Sequence, residues 1–221
     1  VLDLPLEVSL RAFTPFVPGN AEMSNTPTVI FKTRLANTGE TPLFGRLALT
    51  FPGPTPHEGE TFTRIDLMNG VDNITGVEVK HGGGVGYVIG VIHPEATVTH
   101  GAALGTETAP WTTLGEGLQI ASATHPGAAV TLDFAVTPGA KVDADFVLAW
   151  FYPYFRDSDG KPHEHRYLTR FKGPAEVARF VAADCEDMLQ RSLAWQEVIY
   201  QSELPLWLKD ALINGLYSLA K

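Results

Sequence analysis

Two short segments contain residue types that could support chemistry. His81–Gly84 reads His-Gly-Gly-Gly, which resembles the oxyanion-hole loop of an esterase. That chemistry also needs a Gly-x-Ser-x-Gly nucleophile motif, and the sequence contains none. Gly84 and Gly86 begin a dinucleotide-binding pattern, but Ile89 stands at its third glycine position and a strand-like run follows. We therefore interpret this tract as a hairpin turn.

Asp157–Gly160 resembles the opening of a calcium loop. Such a loop needs oxygen ligands at its fifth and twelfth positions, which are Lys161 and Leu168 here. A polar turn is the better interpretation. His163 and His165 could place two imidazoles on one side of a strand, but no third ligand is near them in the sequence. We predict an exposed loop there, with no metal site and no cofactor.

The remaining reactive groups are a cysteine and scattered carboxylates. Cys185 is the single cysteine, so an intrachain disulfide is excluded, and its apolar helical surroundings predict a small buried side chain. Glycoside hydrolysis needs two carboxyl groups facing each other across a sugar. The acidic residues lie in apparent loops and on exposed helix faces, so spacing assigns no catalytic pair in this chain.

Composition narrows the classes of function. The chain has 221 residues, 44% of them hydrophobic, and a net charge of -9. Its 16 Lys and Arg residues form no basic cluster, which argues against nucleic-acid binding. No apolar run approaches the ~20 residues of a membrane span. The single cysteine and the lack of a recognisable signal peptide favour the cytoplasm, although we expect an upstream portion to be missing because the chain enters a strand-like segment at once.

The elements that would position these residues change type near Gly173. Up to residue 172, apolar residues alternate in short runs separated by Gly, Pro and Asn, which predicts an antiparallel β-sandwich over residues 1–172. Loops are expected at Pro52–Glu60 and Gly101–Gly117. The predicted strands begin at the half-buried run Leu6, Val8, Leu10 and Ala12, and continue at Val29–Leu35, Leu43–Phe51, Ile74–Val79, Val85–Ile92, Leu118–Thr124, Ala129–Val136 and Phe146–Tyr152.

Residues 173–221 have helical periodicity. Pro174 suits a first helical turn, and Val177, Val181, Cys185 and Met188 follow one face. A second helix is predicted from Leu204-Pro205, with Ser202 as its N-terminal cap. Because this second helix is apolar around most of its circumference, we expect it to need further helices as neighbours.

Three stretches together resemble the N-terminal part of glycoside hydrolase family 116, which includes β-glucosidases and the non-lysosomal glucosylceramidase, or bile-acid β-glucosidase. The resemblance extends over nearly the whole chain. It is carried by Leu4–Pro18, continuing through Ser24, Pro27 and Phe31 to Asn37–Gly39, by Leu148–Pro153 with Tyr167 and Phe171–Ala182, and by Ser202–Leu208 with Asn214, Leu216 and Tyr217.

The resemblance implies a β-sandwich packed on an α/α toroid, whose Glu nucleophile and Asp acid/base cleave β-glucosides with retention. Here the family's first strands are expected to be missing and the toroid to stop after its opening helix. Neither catalytic residue can therefore be placed on this chain, which is predicted to be inactive alone. Its expected partners are the rest of the toroid and, in the complete enzyme, a β-glucoside.

The sandwich is expected to brace the toroid and to shape one rim of its substrate entrance. Trp150, Tyr152 and Trp207 are candidates for this interdomain contact or rim, because aromatic residues are enriched at such surfaces. Ordinary core packing is the alternative for each. Two alternative functions also remain: another toroid glycosidase or phosphorylase, and a non-catalytic carbohydrate-binding or structural sandwich.

Overall fold

The computed structural model of the chain describes residues 4–55, 60–67, 73–106 and 108–217. In these ranges antiparallel strands come first and the long helices follow. The strands are β1 Leu6–Phe13, β2 Thr28–Asn37, β3 Leu43–Phe51, β4 Thr63–Leu67, β5 Ile74–Lys80, β6 Gly86–Ile92, β7 Val98–Gly101, β8 Ala128–Val136, β9 Lys141–Phe151, β10 Tyr154–Arg156 and β11 Pro162–Glu164. The helices are α1 Ala21–Ser24, α2 Thr108–Thr112, α3 Pro174–Tyr200 and α4 Leu206–Tyr217, with short 3-10 turns at Gly82–Gly84, Leu114–Glu116 and Arg166–Thr169.

Two antiparallel sheets form the sandwich. The larger has the order β1-β2-β9-β6-β5-β4, and the smaller has the order β3-β8-β7. Apolar side chains between them form one core, which includes Val77, Ile89, Val130 and Phe146. The predicted fold class, a mainly β antiparallel sandwich followed by helices, is confirmed.

Helix α3 covers the other face of the larger sheet. Its buried residues Val177, Val181, Cys185 and Met188 pack in a second core with Val88 and Val147 and their neighbours. Strand β6 lies between α3 and the smaller sheet, so all seven of its residues are buried. The helical periodicity therefore predicted the buried face of α3 correctly.

The structure corrects several details of the predicted strands. Leu118–Thr124 is irregular, and Arg64 binds the end of this segment through the carbonyl oxygen of Ser122. β1 forms as predicted but is not half-buried: Val8, Leu10 and Ala12 are exposed, because the smaller sheet does not extend over this edge strand. Strands β4, β7, β10 and β11 were not predicted; the last two form a separate two-stranded sheet.

The loop and cap predictions are corrected in part. The tract from Gly101 to Gly117 contains α2, and Pro52–Glu60 is irregular where it is described, while residues 56–59 lie outside the described ranges. Ser202 does not cap α4. Its hydroxyl donates to the carbonyl oxygen of Ile199, so it closes the end of α3 instead.

Candidate functional site

The three aromatic candidates lie in two different regions. Trp150 is the penultimate residue of β9 and is 40% exposed; Tyr152 follows β9 and is 52% exposed. This region adjoins the start of α3, because Gly86, the first residue of β6, pairs with Phe151 and lies next to the side chain of Pro174. Trp207 is on α4, after the other end of α3, and is 71% exposed. The structure therefore does not bring Trp207 together with the other two.

Tyr152 lines an open groove of about 660 Å³ beside the hairpin formed by β10 and β11. Tyr154 and Phe155, which also line it, are about half exposed, at 50% and 44%. We call this the aromatic groove. Its lining residues are Gly83, Val85, Tyr152, Pro153, Tyr154, Phe155, Arg156 and Pro162.

Tyr167 fixes the backbone at one side of the aromatic groove. Its hydroxyl donates to the carbonyl oxygen of Tyr152 at 2.6 Å and accepts from the amide N–H of Tyr152 at 3.0 Å. The Tyr167 ring is buried against Phe151, and burial raises the pKa of its phenol. Tyr152 is therefore held by a buried group that does not face solvent.

A series of stacked rings fixes the hairpin itself. Phe155 stacks on His163, its cross-strand partner, at 5.3 Å and lies 5.1 Å from His165. His165 in turn is nearly parallel to Tyr167, at 7° and 5.1 Å. His163 Nε2 contacts Asp157 Oδ2 at 2.6 Å. This hydrogen bond lowers the pKa of Asp157, with help from the backbone N–H of Lys161.

These contacts decide between the predicted interpretations of both segments. Asp157 Oδ1 accepts from the amides of Asp159 and Lys161, so Asp157–Gly160 is the polar turn that the sequence predicted. His163 is in strand β11, not in the predicted loop, and both histidines are engaged by aromatic rings. Among the described residues, no group of three His, Cys, Asp or Glu side chains is arranged to hold a metal ion.

The glycine tract is a turn, as predicted. The amide N–H of His81 donates to the carbonyl oxygen of Val85 and closes the connection between β5 and β6. Gly83 has φ +77° and borders the aromatic groove with nothing within 4 Å of the position of a β-carbon. This backbone conformation favours glycine, and it leaves the groove open on that side.

The carboxylates of the larger and smaller sheets are mostly paired with cations. Asp133 is hydrogen-bonded to Arg46 at 2.6 Å and Asp143 to Arg34 at 2.6 Å, and both contacts lower the carboxyl pKa. A general acid for glycoside cleavage needs a raised pKa. Neither group can therefore be the general acid, and each accepts two hydrogen bonds from its arginine, as in a structural ion pair. We assign no catalytic residue to the described part of the chain.

Cys185 is buried, as predicted, in the core between α3 and the larger sheet. Burial raises the pKa of its thiol to about 11. A thiol with that pKa is protonated near neutral pH and is a poor nucleophile.

A second group of exposed apolar side chains lies on α4, on the last part of α3 and in the connection between them. Ile213 is buried, while other large apolar side chains of α4 and of the end of α3 face solvent. Tyr200 donates to Asp210 Oδ1, and Lys209 donates to the carbonyl oxygen of Tyr200, so α4 is attached to the end of α3. We call the exposed set the helical surface; its members are Leu193, Val198, Leu204, Leu206, Trp207 and Leu212.

Comparison with known proteins does not assign the chain to a family. No family model matches the chain, and no curated protein sequence matches it. Among solved structures, it is similar to one assigned as a kojibiose phosphorylase from the human microbiome, with a TM-score of 0.44 and 10% sequence identity. The match covers 84% of this chain and 20% of that one, so the chain spans about a fifth of that structure's length. Across the described residues, no helix has the length and apolar character to span a membrane.

Of the residues that line the aromatic groove, Tyr152 was a candidate from the sequence, whereas Tyr154 and Arg156 were not. Their signal was the dense aromatic run Trp150–Phe155, which holds five aromatic residues in six positions. Pro153 interrupts that run and separates β9 from β10. The pairing of β10 with β11, which defines the groove, has too few residues to produce a recognisable alternation.

Proposed function

We propose that the chain is the β-sandwich and the first helices of a glycoside hydrolase built on an α/α toroid, of the family 116 type that cleaves β-glucosides with retention. The observation that carries the proposal is the helical surface. Leu206 and Trp207 are 67% and 71% exposed on a helix whose other side already packs on α3. A helix with large apolar side chains on two sides is expected to pack against other elements on both of them.

The sequence resemblance supplies the identity of those neighbours. The segment Ser202–Leu208 resembles the start of the family's catalytic domain, and it is the segment that leads into α4. Further toroid helices would cover Leu206 and Trp207 and remove their apolar surface from water, which is favourable by about 25 cal/mol per Å². The sandwich would then brace the toroid through α3, one face of which is buried from Pro174 to Ser192.

In such an enzyme the catalytic residues are in the toroid. A Glu nucleophile and an Asp acid/base roughly 5 Å apart would carry out two displacements at the anomeric carbon. This chain would contribute position and shape: Trp207 at the contact between domains, and Trp150 and Tyr152 at a rim of the substrate entrance. No cofactor is needed for this reaction.

The helical surface gives a direct test. We expect the 221-residue chain to bind a hydrophobic dye and to self-associate, because Leu206 and Trp207 lack their partners. The double variant Leu206→Ser/Trp207→Ser should show weaker dye fluorescence and a lower mean mass in sedimentation velocity. Phe44→Ser is the matched control, since Phe44 is 78% exposed on β3 and is outside the helical surface.

The alternative function predicts a different result. A non-catalytic sandwich that is complete without further helices should be monomeric and should not bind the dye. If the wild-type chain behaves in that way, or if Phe44→Ser lowers association as much as the double variant does, the docking role of α4 is wrong.

A further inference from the structure

Strand β1 forms one edge of the larger sheet, and among the described residues it pairs with β2 alone. Its register with β2 is continuous from Leu6 to Phe13, without a bulge or an internal proline. The amide N–H of Thr38 donates to the carbonyl oxygen of Pro5. Because bonding alternates along an antiparallel strand, every second residue of β1 from there directs its N–H and C=O away from β2. These residues are Leu6, Val8, Leu10 and Ala12.

The same residues form an exposed apolar strip beside the edge. Val8 and Leu10 are 55% and 63% exposed. They are on the inner face of the larger sheet, because Leu10 lies opposite Thr33, whose own partner Ala144 belongs to the core between the two sheets. Edge strands that remain free usually have a charge on the core side, a proline or a bulge. On this face β1 has none of these, so the edge is suited to pairing with another strand.

The opposite face of β1 has two charges of opposite sign. Glu7 and Arg11 are both exposed, and Ser9 lies midway between them. Within the described part of the chain neither forms an ion pair, although Glu186 of α3 attracts Arg11 at longer range. A strand with this spacing is complementary to a reversed copy of itself, because reversal about Ser9 exchanges the positions of the two charges.

We propose that the chain forms a twofold-symmetric dimer in which β1 pairs antiparallel with β1 of a second copy, centred on Ser9. This register places Glu7 opposite Arg11 of the second copy, and Val8 opposite Leu10, on each side of the axis. The N–H and C=O groups of Val8 and Leu10 bond across the interface, since both residues belong to the set that faces away from β2. Opposite charges and apolar pairs directly across two strands both stabilise the pairing.

Other registers lose this match. A shift that puts Val8 on the axis sets Glu7 opposite Ser9, and one that puts Leu10 there sets Glu7 opposite Phe13. A register displaced by a single residue sets the outward backbone groups opposite groups that are already bonded to β2. One pair of eight-residue strands buries less surface than a standard interface, so we expect a Kd in the micromolar range.

Cysteine cross-linking tests the register. Ser9 lies opposite itself, in a non-hydrogen-bonded pair whose α-carbons are about 4.5 Å apart, a distance that a disulfide can span. We expect Ser9→Cys to form a disulfide-linked dimer on oxidation with diamide, measured on a non-reducing gel. Arg11→Cys is the matched control on the same face of β1, because two such residues are roughly 13 Å apart in this register and should not link. Cys185 is buried and does not compete.

Charge exchange tests the pairing of Glu7 with Arg11. Glu7→Arg and Arg11→Glu each place like charges opposite one another on both sides of the axis, and each should raise the dimer Kd about tenfold. The double variant Glu7→Arg/Arg11→Glu restores opposite charges and should return the Kd close to its starting value. Sedimentation velocity measures these constants in the Leu206→Ser/Trp207→Ser background, which excludes association through the helical surface and should itself sediment as a dimer.

The inference is wrong if the background variant is a monomer, if Ser9→Cys does not link, or if Arg11→Cys links as readily. It is equally wrong if the charge-exchanged double variant stays as weak as the single ones. An edge of β1 that another segment of the complete protein covers would give the first two of these results. The proposed function is unaffected by any of them, because binding of the dye to the helical surface does not involve β1.

Discussion

At the scale of single residues, the hydroxyl of Tyr167 determines the shape of the candidate site. It bonds both the amide and the carbonyl of Tyr152 from a buried position, where water cannot readily replace it. The resemblance marked Tyr167 as part of a pattern without giving it a role. Its double hydrogen bond was not predictable from sequence because the two residues are joined by the β10–β11 hairpin, whose short strands leave no periodic signal.

Tyr167→Phe should therefore lower the free energy of unfolding by about 1–2 kcal/mol, because one hydroxyl that makes two hydrogen bonds is lost while the ring still packs. Urea unfolding followed by circular dichroism measures this. Tyr200→Phe is the control: its hydroxyl bonds Asp210 at the exposed end of α3, so its unfolding midpoint should stay close to that of the wild type. Equal effects of the two substitutions would contradict the role given to Tyr167.

At the scale of elements, β5 and β6 pair so closely that there is no room for a side chain at Gly76. Gly76 lies opposite Gly90, and a β-carbon at Gly76 would be 2.3 Å from the carbonyl oxygen of Ile89 and 2.5 Å from the α-carbon of Gly90. Both contacts are with backbone in a strand that is buried on each face. The strand cannot move away without disturbing α3 or the smaller sheet.

Gly76→Ala should destabilise the fold by about 3 kcal/mol, near the upper end for overpacking a core. Gly82→Ala provides the matched control, since Gly82 is in the turn after β5 with nothing within 4 Å of its β-carbon position. Thermal unfolding of the two variants should differ clearly. A Gly76→Ala variant as stable as Gly82→Ala would mean that β5 and β6 are not packed as described.

The strands that were predicted correctly share one physical property. β2, β3, β5, β6 and β8 are longer than six residues and face a core on at least one side, so their apolar residues form a clear pattern. Of β9, the sequence predicted the part from Phe146 but not the part from Lys141 to Asp145. Leu118–Thr124 also has apolar residues but is irregular, with Ile120 almost wholly exposed. In β1 the alternation is genuine, yet the smaller sheet does not extend over it. Local pattern predicts a strand; it does not reveal how far the opposite layer extends.

At the scale of the whole molecule, α3 connects two surfaces with different chemistry. The aromatic groove adjoins its beginning, and the helical surface surrounds its end. The helical surface was predictable because the sequence shows that α4 has apolar residues on several sides. Helical periodicity alone is enough to see this. It could not predict that Trp207 and Tyr152 are apart, because that separation depends on the length and direction of α3 across the sheet.

The most direct measurement of the proposed function is hydrolysis of 4-nitrophenyl β-glucoside, with the anomer of the released glucose followed by NMR. The enzyme assayed should be the product of the complete open reading frame, with the 221-residue chain as the control. We expect the complete product to release β-glucose first and the 221-residue chain to be inactive. If the complete product does not cleave β-glucosides, or releases α-glucose first, the proposed retaining β-glucosidase is wrong.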